Sequence, residues 1–204
     1  MTEITAFGVF FAAALVLAIV AGPGMLYVLA RTVRGGRREG LLSTTGTGLA
    51  GMLHTLAAAT GISVVIATSA AAFSVLKWAG AFYLVYLGFR TFLDKGEASN
   101  LPPRGAFRGA LRQGLMTEVL NPKTALFFLA FIPQFIDPNG NALAQFVLLG
   151  FVTTMLTSGV DLLVVLAAGP LSKRLLRNRR LQLLQRGASG GTLVGLGVYV
   201  AVRD

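Results

Sequence analysis

Long apolar segments fill most of this 204-residue sequence. A helix that crosses the hydrocarbon core of a bilayer needs about 20 predominantly apolar residues. Six segments approach or exceed that length, and the last of them is short and rich in glycine. They lie at approximately 6–30, 43–70, 73–93, 114–136, 143–171 and 187–202. We therefore predict an all-α membrane protein with six transmembrane helices, folded as a single transmembrane domain over residues 1–204.

The composition supports a membrane protein and argues against metal or redox chemistry. Hydrophobic residues make up 54% of the chain and charged residues 13%, whereas soluble domains carry about 25% charged residues. The chain has no cysteine and a single histidine, so thiolate and multi-histidine metal sites are excluded. No set of nucleophile, base and acid is visible. We predict no metal, no cofactor and no enzymatic activity.

The basic residues alternate between the loops of the six-helix arrangement. Fifteen of the eighteen Lys and Arg residues follow the first, third or fifth predicted helix. By the positive-inside rule these odd-numbered loops are cytoplasmic, and both termini lie outside. Because the charges are interleaved with apolar segments, we predict no nucleic-acid binding despite a net charge of +10. The fifth loop, residues 172–186, is predicted to form an amphipathic helix on anionic lipid.

The predicted topology divides the chain into two halves of opposite orientation, about 1–100 and 105–204. The segments GPGMLYVLA, from Gly22, and NPKTALFFL, from Asn121, occupy corresponding places in the two halves. Each has proline as its second residue and an apolar run behind it. Inverted halves with paired, interrupted helices are typical of secondary transporters, whose binding sites form where the two interruptions meet.

Three segments also resemble a known family. AGPGMLYVLARTVRGGRREGL is similar to the first helix and following loop of the lysine-exporter (LysE/RhtB type) amino-acid efflux proteins. LKWAGAFYLVYLGFRTF resembles their third helix and LNPKTALFFLAFIPQF their fourth. The resemblance covers essentially the whole chain. It implies export of amino acids or similar small metabolites from the bacterial cytoplasm, driven by the proton-motive force, by a multi-pass protein of the inner (cell) membrane.

Gly22, Pro23 and Gly24 interrupt the first predicted helix. Proline removes a backbone hydrogen bond and clashes with the preceding turn, and the flanking glycines let the chain bend. Within a bilayer the freed carbonyls need partners, which confines such an interruption to buried protein or a water-lined cavity. We predict that these residues line the substrate site; a simple packing kink is the alternative.

Asn121, Pro122 and Lys123 interrupt the fourth predicted helix in the same way. A lysine in the middle of a transmembrane helix costs about 3 kcal/mol on insertion scales, so it normally faces a cavity or a partner. Asn121 can satisfy backbone groups that the proline frees. We predict that the three residues bind substrate. The alternative is a lysine whose ammonium extends to the membrane interface.

Asp161, His54 and Glu118 are the candidates for proton coupling. Asp161 has no basic residue within ten positions, and a carboxylic acid in apolar surroundings can bind and release protons near neutral pH. The alternative is a structural ion pair with Lys123. His54 is a candidate because histidine is the residue type most often used to relay protons, although a lone histidine among helices often serves only as a hydrogen-bonding residue. For Glu118 a solvated or structural role competes with coupling.

We predict a secondary exporter of amino acids or their derivatives that works by proton antiport. Its partners are the small-molecule substrate, protons and membrane lipids, and glycine-lined helix faces would serve internal packing or a homodimer contact. One alternative is an exporter of a different substrate such as a cation, which the lack of clustered carboxylates disfavours. The other is a non-transporting membrane scaffold or assembly protein, in which the buried charges only specify helix packing.

Overall fold

The computed structural model describes residues 3–20, 22–68, 70–93, 107–137, 139–177 and 179–202. All of its regular structure within these ranges is helical, which confirms the all-α class. The helices are α1 (Glu3–Ile19), α2 (Pro23–Thr68), α3 (Ala70–Leu93), α4 (Phe107–Val119), α5 (Pro122–Leu126), α6 (Ala142–Arg177) and α7 (Arg179–Val202). A π-helical turn, Phe127–Phe131, and a 3-10 turn, Ile132–Phe135, continue α5. Most of the predicted third loop lies outside the described residues.

Each half of the chain contains a helix interrupted before a proline. The axis bends by 43° between α1 and α2, which begins at Pro23, and by 47° between α4 and α5, which begins at Pro122. Proline suits the first position of a helix because the N–H group that it lacks would have no intrahelical partner there. We call these two points the first and second breaks.

A further bend falls where the sequence predicts the first loop. Gly36 has φ 81° and ψ 179°, a conformation that side-chain-bearing residues rarely adopt. It divides α2 into a segment that follows the first break and a segment that contains the second predicted transmembrane helix. The predicted loop is therefore a sharp kink between two helical segments. The basic stretch 172–186 likewise forms the adjoining ends of α6 and α7, and most of its side chains lie outside the described residues.

By length and hydropathy, one described helix, at Ala142–Ala168 within α6, can cross a membrane without interruption. The two pairs of helices that meet at the breaks also qualify, which gives up to three spans if each pair is one span. Gly190–Val202 in α7 is a shorter apolar helix. Large apolar side chains such as Leu53, Phe82 and Leu148 are more than half exposed, as expected of surfaces that face lipid.

The interior has an aromatic core and a close contact between two helix backbones. Phe127, Phe128 and Phe131 are fully buried at the centre of the apolar core.

α2 packs against α4 and α6, and α3 packs against α7. Where α2 meets α4, Gly46 lies against the backbone carbonyl of Leu111, which leaves no room for a Cβ atom. Glycine at such a position lets two helices approach closely, as predicted for the second transmembrane segment.

Replacing Gly46 tests this contact. In Gly46→Ala the new methyl group would press on the α4 backbone, and overpacking of this kind costs about 1–3 kcal/mol. We expect a lower apparent melting temperature for the detergent-solubilised protein. The matched control is Gly159→Ala on α6, where an added Cβ meets nothing within 4 Å. There alanine should be neutral or should stabilise the helix by up to about 1 kcal/mol. Equal melting temperatures for the two variants would contradict the close contact.

Candidate functional site

The first and second breaks face one small internal cavity of about 40 Å³, large enough for a few water molecules. Six of the nine predicted site residues line it. They are Gly22, Gly24, Glu118, Asn121, Lys123 and Asp161. Threonine hydroxyls from α2, α5 and α6 complete the polar part of the wall, and Leu17, Met25 and Phe128 supply apolar surface. The cavity therefore joins elements of both halves of the chain.

Lys123 connects the two breaks. Its ammonium donates hydrogen bonds to the backbone carbonyls of Leu17, at 2.9 Å, and Val20, at 2.6 Å. These carbonyls lie at the end of α1, where the last turn of a helix leaves its acceptors without intrahelical partners. The lysine is 9% exposed. Within the described ranges no ion pair joins Lys123 to Asp161, so its charge is directed at the end of a helix and not at a carboxylate.

Asn121 organises the second break. Its side-chain oxygen accepts a hydrogen bond of 3.1 Å from the backbone N–H of Lys123, which makes it the N-cap of α5. Its amide nitrogen donates to the Glu118 carboxylate at 3.1 Å. Its own backbone N–H donates to the Glu118 carbonyl at 3.1 Å. The Asn121 side chain thus contacts the Glu118 carboxylate before the break and the backbone N–H of Lys123 after it. These bonds hold the backbone of Lys123 in position.

Glu118 points its carboxylate into the cavity. It accepts hydrogen bonds from the amide of Asn121 and from the hydroxyl of Thr124. The same carboxylate lies against Gly24, in the first turn of α2, and would collide with a Cβ atom at that position. The sequence separation of five places Glu118 and Lys123 on different helical faces, but the intervening break brings both side chains to the same cavity.

Asp161 is buried, at 7% exposure, and its side-chain hydrogen-bond partner among the described residues is the hydroxyl of Thr47. Thr47 Oγ1 lies 3.0 Å from the Asp161 carboxylate and 3.0 Å from the Thr44 carbonyl. A hydroxyl has one proton to donate and lone pairs to accept with. It can donate to an ionised Asp161, or accept from a protonated Asp161 while donating to Thr44. This contact accommodates either protonation state without movement of heavy atoms.

His54 lies beside the cavity and not in its wall. Its Nε2 is 3.1 Å from the backbone carbonyl of Glu118, and its ring stacks on Phe128 with centroids 5.8 Å apart. Because a carbonyl only accepts hydrogen bonds, Nε2 carries the proton in this contact. His54 therefore holds the end of α4 just before the second break. Pro23 and Pro122 also lie outside the lining and act by starting α2 and α5.

A second buried polar cluster was missed from the sequence. Arg31, predicted to lie in the first cytoplasmic loop, is 1% exposed. Its guanidinium donates to the Tyr27 hydroxyl at 2.9 Å, to the Glu39 carboxylate at 3.2 Å and to the side-chain oxygen of Gln113. The Tyr27 hydroxyl in turn donates to the Ala110 carbonyl at 3.0 Å. The cluster ties α2 to α4 and bridges the kink at Gly36.

One sequence signal could have identified this cluster. Tyr27 and Arg31 are four residues apart in the run that follows Pro23, so they share a helical face. For metal binding, by contrast, the described part of the chain offers no group of three or more His, Asp or Glu side chains. The polar chemistry of the described site is therefore that of amine, carboxylate, amide and hydroxyl groups.

Replacing Arg31 tests the second cluster. Arg31→Met leaves the part-buried Glu39 carboxylate and the oxygen of Gln113 without their donor, and loss of a hydrogen bond to a charged group costs about 1.5–3 kcal/mol. We expect a clear fall in the apparent melting temperature in detergent. Arg112→Met, which alters an exposed arginine on α4, is the control and should change it little. If both variants melt like the wild type, the cluster does not stabilise the fold.

Comparison with known proteins gives a family match over most of the chain. The family model described as LysE type translocator matches residues 15–204. The Bacillus subtilis membrane protein YrhP is 31% identical over 91% of this chain and 93% of its own length. The homoserine/homoserine lactone efflux protein of Salmonella typhimurium is 32% identical over 78% of this chain and 76% of its own. The leucine efflux protein of Salmonella choleraesuis is 33% identical over 61% of this chain and 60% of its own. No solved structure matches the chain at a meaningful level of similarity.

Proposed function

Because the chain belongs to the LysE type translocator family, we propose that it exports amino acids or related small metabolites from the bacterial cytoplasm in exchange for protons. Membership of a family of translocators supports transport, and the relatives named for efflux of homoserine, homoserine lactone and leucine support substrates of this size and chemistry. The observation that carries the proposal is the cavity itself, where both breaks meet a lysine and two carboxylates.

The proposed topology is six transmembrane helices in two inverted halves, about 1–100 and 105–204, in the inner (cell) membrane. The paired breaks, with bends of 43° and 47°, support the inverted repeat because the first span of each half contains the same kind of interruption. The alternating basic loops support cytoplasmic odd-numbered loops and external termini. Exposed apolar side chains would contact membrane lipids, and the whole chain would act as a single transporter domain.

In this conformation the cavity is too small to hold an amino acid. A volume of about 40 Å³ holds a few waters, and an amino acid is larger. Substrate entry would therefore require the helices on either side of the breaks to separate. In secondary transporters one repeat moves against the other around a fixed central site, and the two breaks are the natural hinges for such a movement.

Proton antiport is assigned to the carboxylates. Asp161 lies beside a hydroxyl that fits either of its protonation states, and Glu118 supplies a second carboxylate in the same cavity. A proton that enters from outside would neutralise Asp161 and favour release of the substrate ammonium. Loss of that proton to the cytoplasm would restore the negative charge and favour binding of the next substrate. The exchange couples proton entry to substrate exit.

An export screen across amino acids in cells that overproduce the protein tests transport itself. We expect efflux of at least one small amino acid well above that of cells carrying the empty vector. Homoserine and leucine are the first substrates to try, given the named relatives. If purified protein in liposomes moves no amino acid or related amine under any gradient, the exporter function is wrong.

Asp161→Asn tests the coupling. In proteoliposomes with an imposed pH gradient, wild-type protein should accumulate substrate against its concentration gradient. The asparagine variant cannot exchange a proton, so gradient-driven accumulation should vanish, while exchange of labelled for unlabelled substrate continues. Asp137→Asn, on an exposed loop, is the matched control and should keep accumulation. Full gradient-driven flux in Asp161→Asn would overturn the assignment to this residue.

His54→Gln separates a proton relay from a positioning role. A glutamine amide can donate to the Glu118 carbonyl but does not titrate, so a positioning residue should tolerate this change and keep pH-driven transport. His54→Leu removes the donor and should lower both transport and melting temperature, because an unsatisfied buried acceptor costs about 1–3 kcal/mol. Loss of pH-driven transport in His54→Gln, with exchange intact, would instead make His54 part of the proton path.

A further inference from the structure

We propose that the end of α1 is the binding site for the substrate's ammonium group, and that Lys123 is a tethered occupant of this site when no substrate is bound. The inference rests on the proposed export function and adds to it the chemical group that is recognised and the place of recognition. The site consists of the backbone carbonyls of Leu17 and Val20. Lys123 fills it in the present structure, with its ammonium 2.9 Å and 2.6 Å from the two oxygens.

The two carbonyls have the chemistry of a cation site. They lie at the end of α1, where the helix dipole places partial negative charge and where acceptors lack intrahelical donors. A primary ammonium has three N–H donors and no acceptor. The α-ammonium of an amino acid carries the same charge and the same three donors as the side chain of lysine. A site that binds one of these groups therefore suits the other.

The charges around Lys123 support a role as a replaceable occupant. Among the described residues, the carboxylates of Glu118 and Asp161 take their hydrogen bonds from Asn121, Thr124 and Thr47, and neither forms an ion pair with Lys123. Both carboxylates nevertheless line the same cavity as the lysine. When a substrate ammonium takes the carbonyls, the displaced lysine can turn to one of these carboxylates or to the carboxylate of the substrate. The carbonyls of Leu17 and Val20 then contact one ammonium group before and after the exchange.

Gly22 leaves space for this movement. A Cβ atom at position 22 would lie 3.4 Å from Lys123 Cδ and 3.5 Å from its ammonium nitrogen, which is ordinary contact distance. The end of the lysine side chain therefore runs directly over the backbone of Gly22. A branched side chain there would confine the lysine on the side of the first break. Glycine keeps that side open to the long flexible side chain.

Loss of Lys123 should then slow the return of the empty carrier more than the movement of the loaded carrier. A loaded carrier has the substrate ammonium on the Leu17 and Val20 carbonyls. An empty carrier must return with these carbonyls satisfied by another donor, because bare backbone acceptors within a membrane are costly. Lys123 supplies that donor. Its loss should therefore impair net efflux, which includes the empty return, more than exchange, in which substrate occupies the site in both directions.

The test measures both fluxes in proteoliposomes, using the amino acid that the wild-type protein exports best. Lys123→Met keeps the length of the side chain and removes the ammonium. We expect net efflux to fall by more than about tenfold, as expected when two buried acceptors lose their donor. Exchange of labelled for unlabelled substrate should fall by a much smaller factor, because substrate occupies the carbonyls in both directions. Lys77→Met, on α3 and away from the cavity, is the control for loss of a lysine and should keep both fluxes.

The outcomes separate the two proposals. Equal loss of net efflux and exchange in Lys123→Met, in protein that melts like the wild type, would overturn the tethered-occupant role while leaving the exporter function intact. Absence of transport by the wild type would overturn the exporter function first. Lys123→Gln, whose amide can still donate to one carbonyl, should give an intermediate net efflux. An unchanged net efflux in both lysine variants would also overturn the inference.

A measurement on the wild type does not depend on any variant's folding. The 2-hydroxy acid that corresponds to the exported amino acid has the same side chain and carboxylate but lacks the ammonium. It should fail to inhibit transport at concentrations where the amino acid inhibits fully, and it should not raise the melting temperature in detergent. Equal inhibition by the two compounds would show that the ammonium is not the recognised group.

Discussion

The hydrogen bonds from the Lys123 ammonium to the Leu17 and Val20 carbonyls hold the two broken helices together. Each break taken alone would be costly. The first leaves backbone acceptors at the end of α1, and the second places a positive charge in an apolar helix. When the two breaks meet, the Lys123 ammonium donates hydrogen bonds to the backbone carbonyls of Leu17 and Val20, so both costs are reduced. The arrangement of Asn121, Glu118 and His54 around the second break follows from the need to hold that lysine in place.

The polar groups around the cavity and those around Arg31 have different roles. The first group can contact a ligand, and the second links two helices. Around the cavity, hydroxyl and amide groups contact the carboxylates without neutralising them, so charge remains available to a ligand. Around Arg31, the guanidinium is fully paired with Glu39, Tyr27 and Gln113, and it ties α2 to α4. A translocator needs both kinds of polar group, because a site that rebinds substrate in every cycle must lie in a framework that does not come apart.

Local sequence rules were enough to predict the helical class, the places of both breaks and the capping capacity of Asn121, since proline and asparagine act on their own neighbourhood. They were not enough to predict partners. Opposite charge makes Asp161 a reasonable partner for Lys123. The observed partners are the Leu17 and Val20 carbonyls, because the end of α1 lies opposite the lysine in the folded chain. Arg31 was assigned to a loop because it opens a run of basic residues. Its burial depends on Gly36, whose unusual backbone conformation turns the chain back so that Glu39 can reach the guanidinium.

The contact between Gly24 and the Glu118 carboxylate has an evolutionary consequence. Position 24 has no room for a Cβ atom while Glu118 keeps its present rotamer, and that rotamer is held by Asn121 and Thr124. The two positions, far apart in sequence and in opposite halves of the chain, are therefore sterically coupled. A descendant that gains a side chain at position 24 must shorten or redirect the residue at position 118.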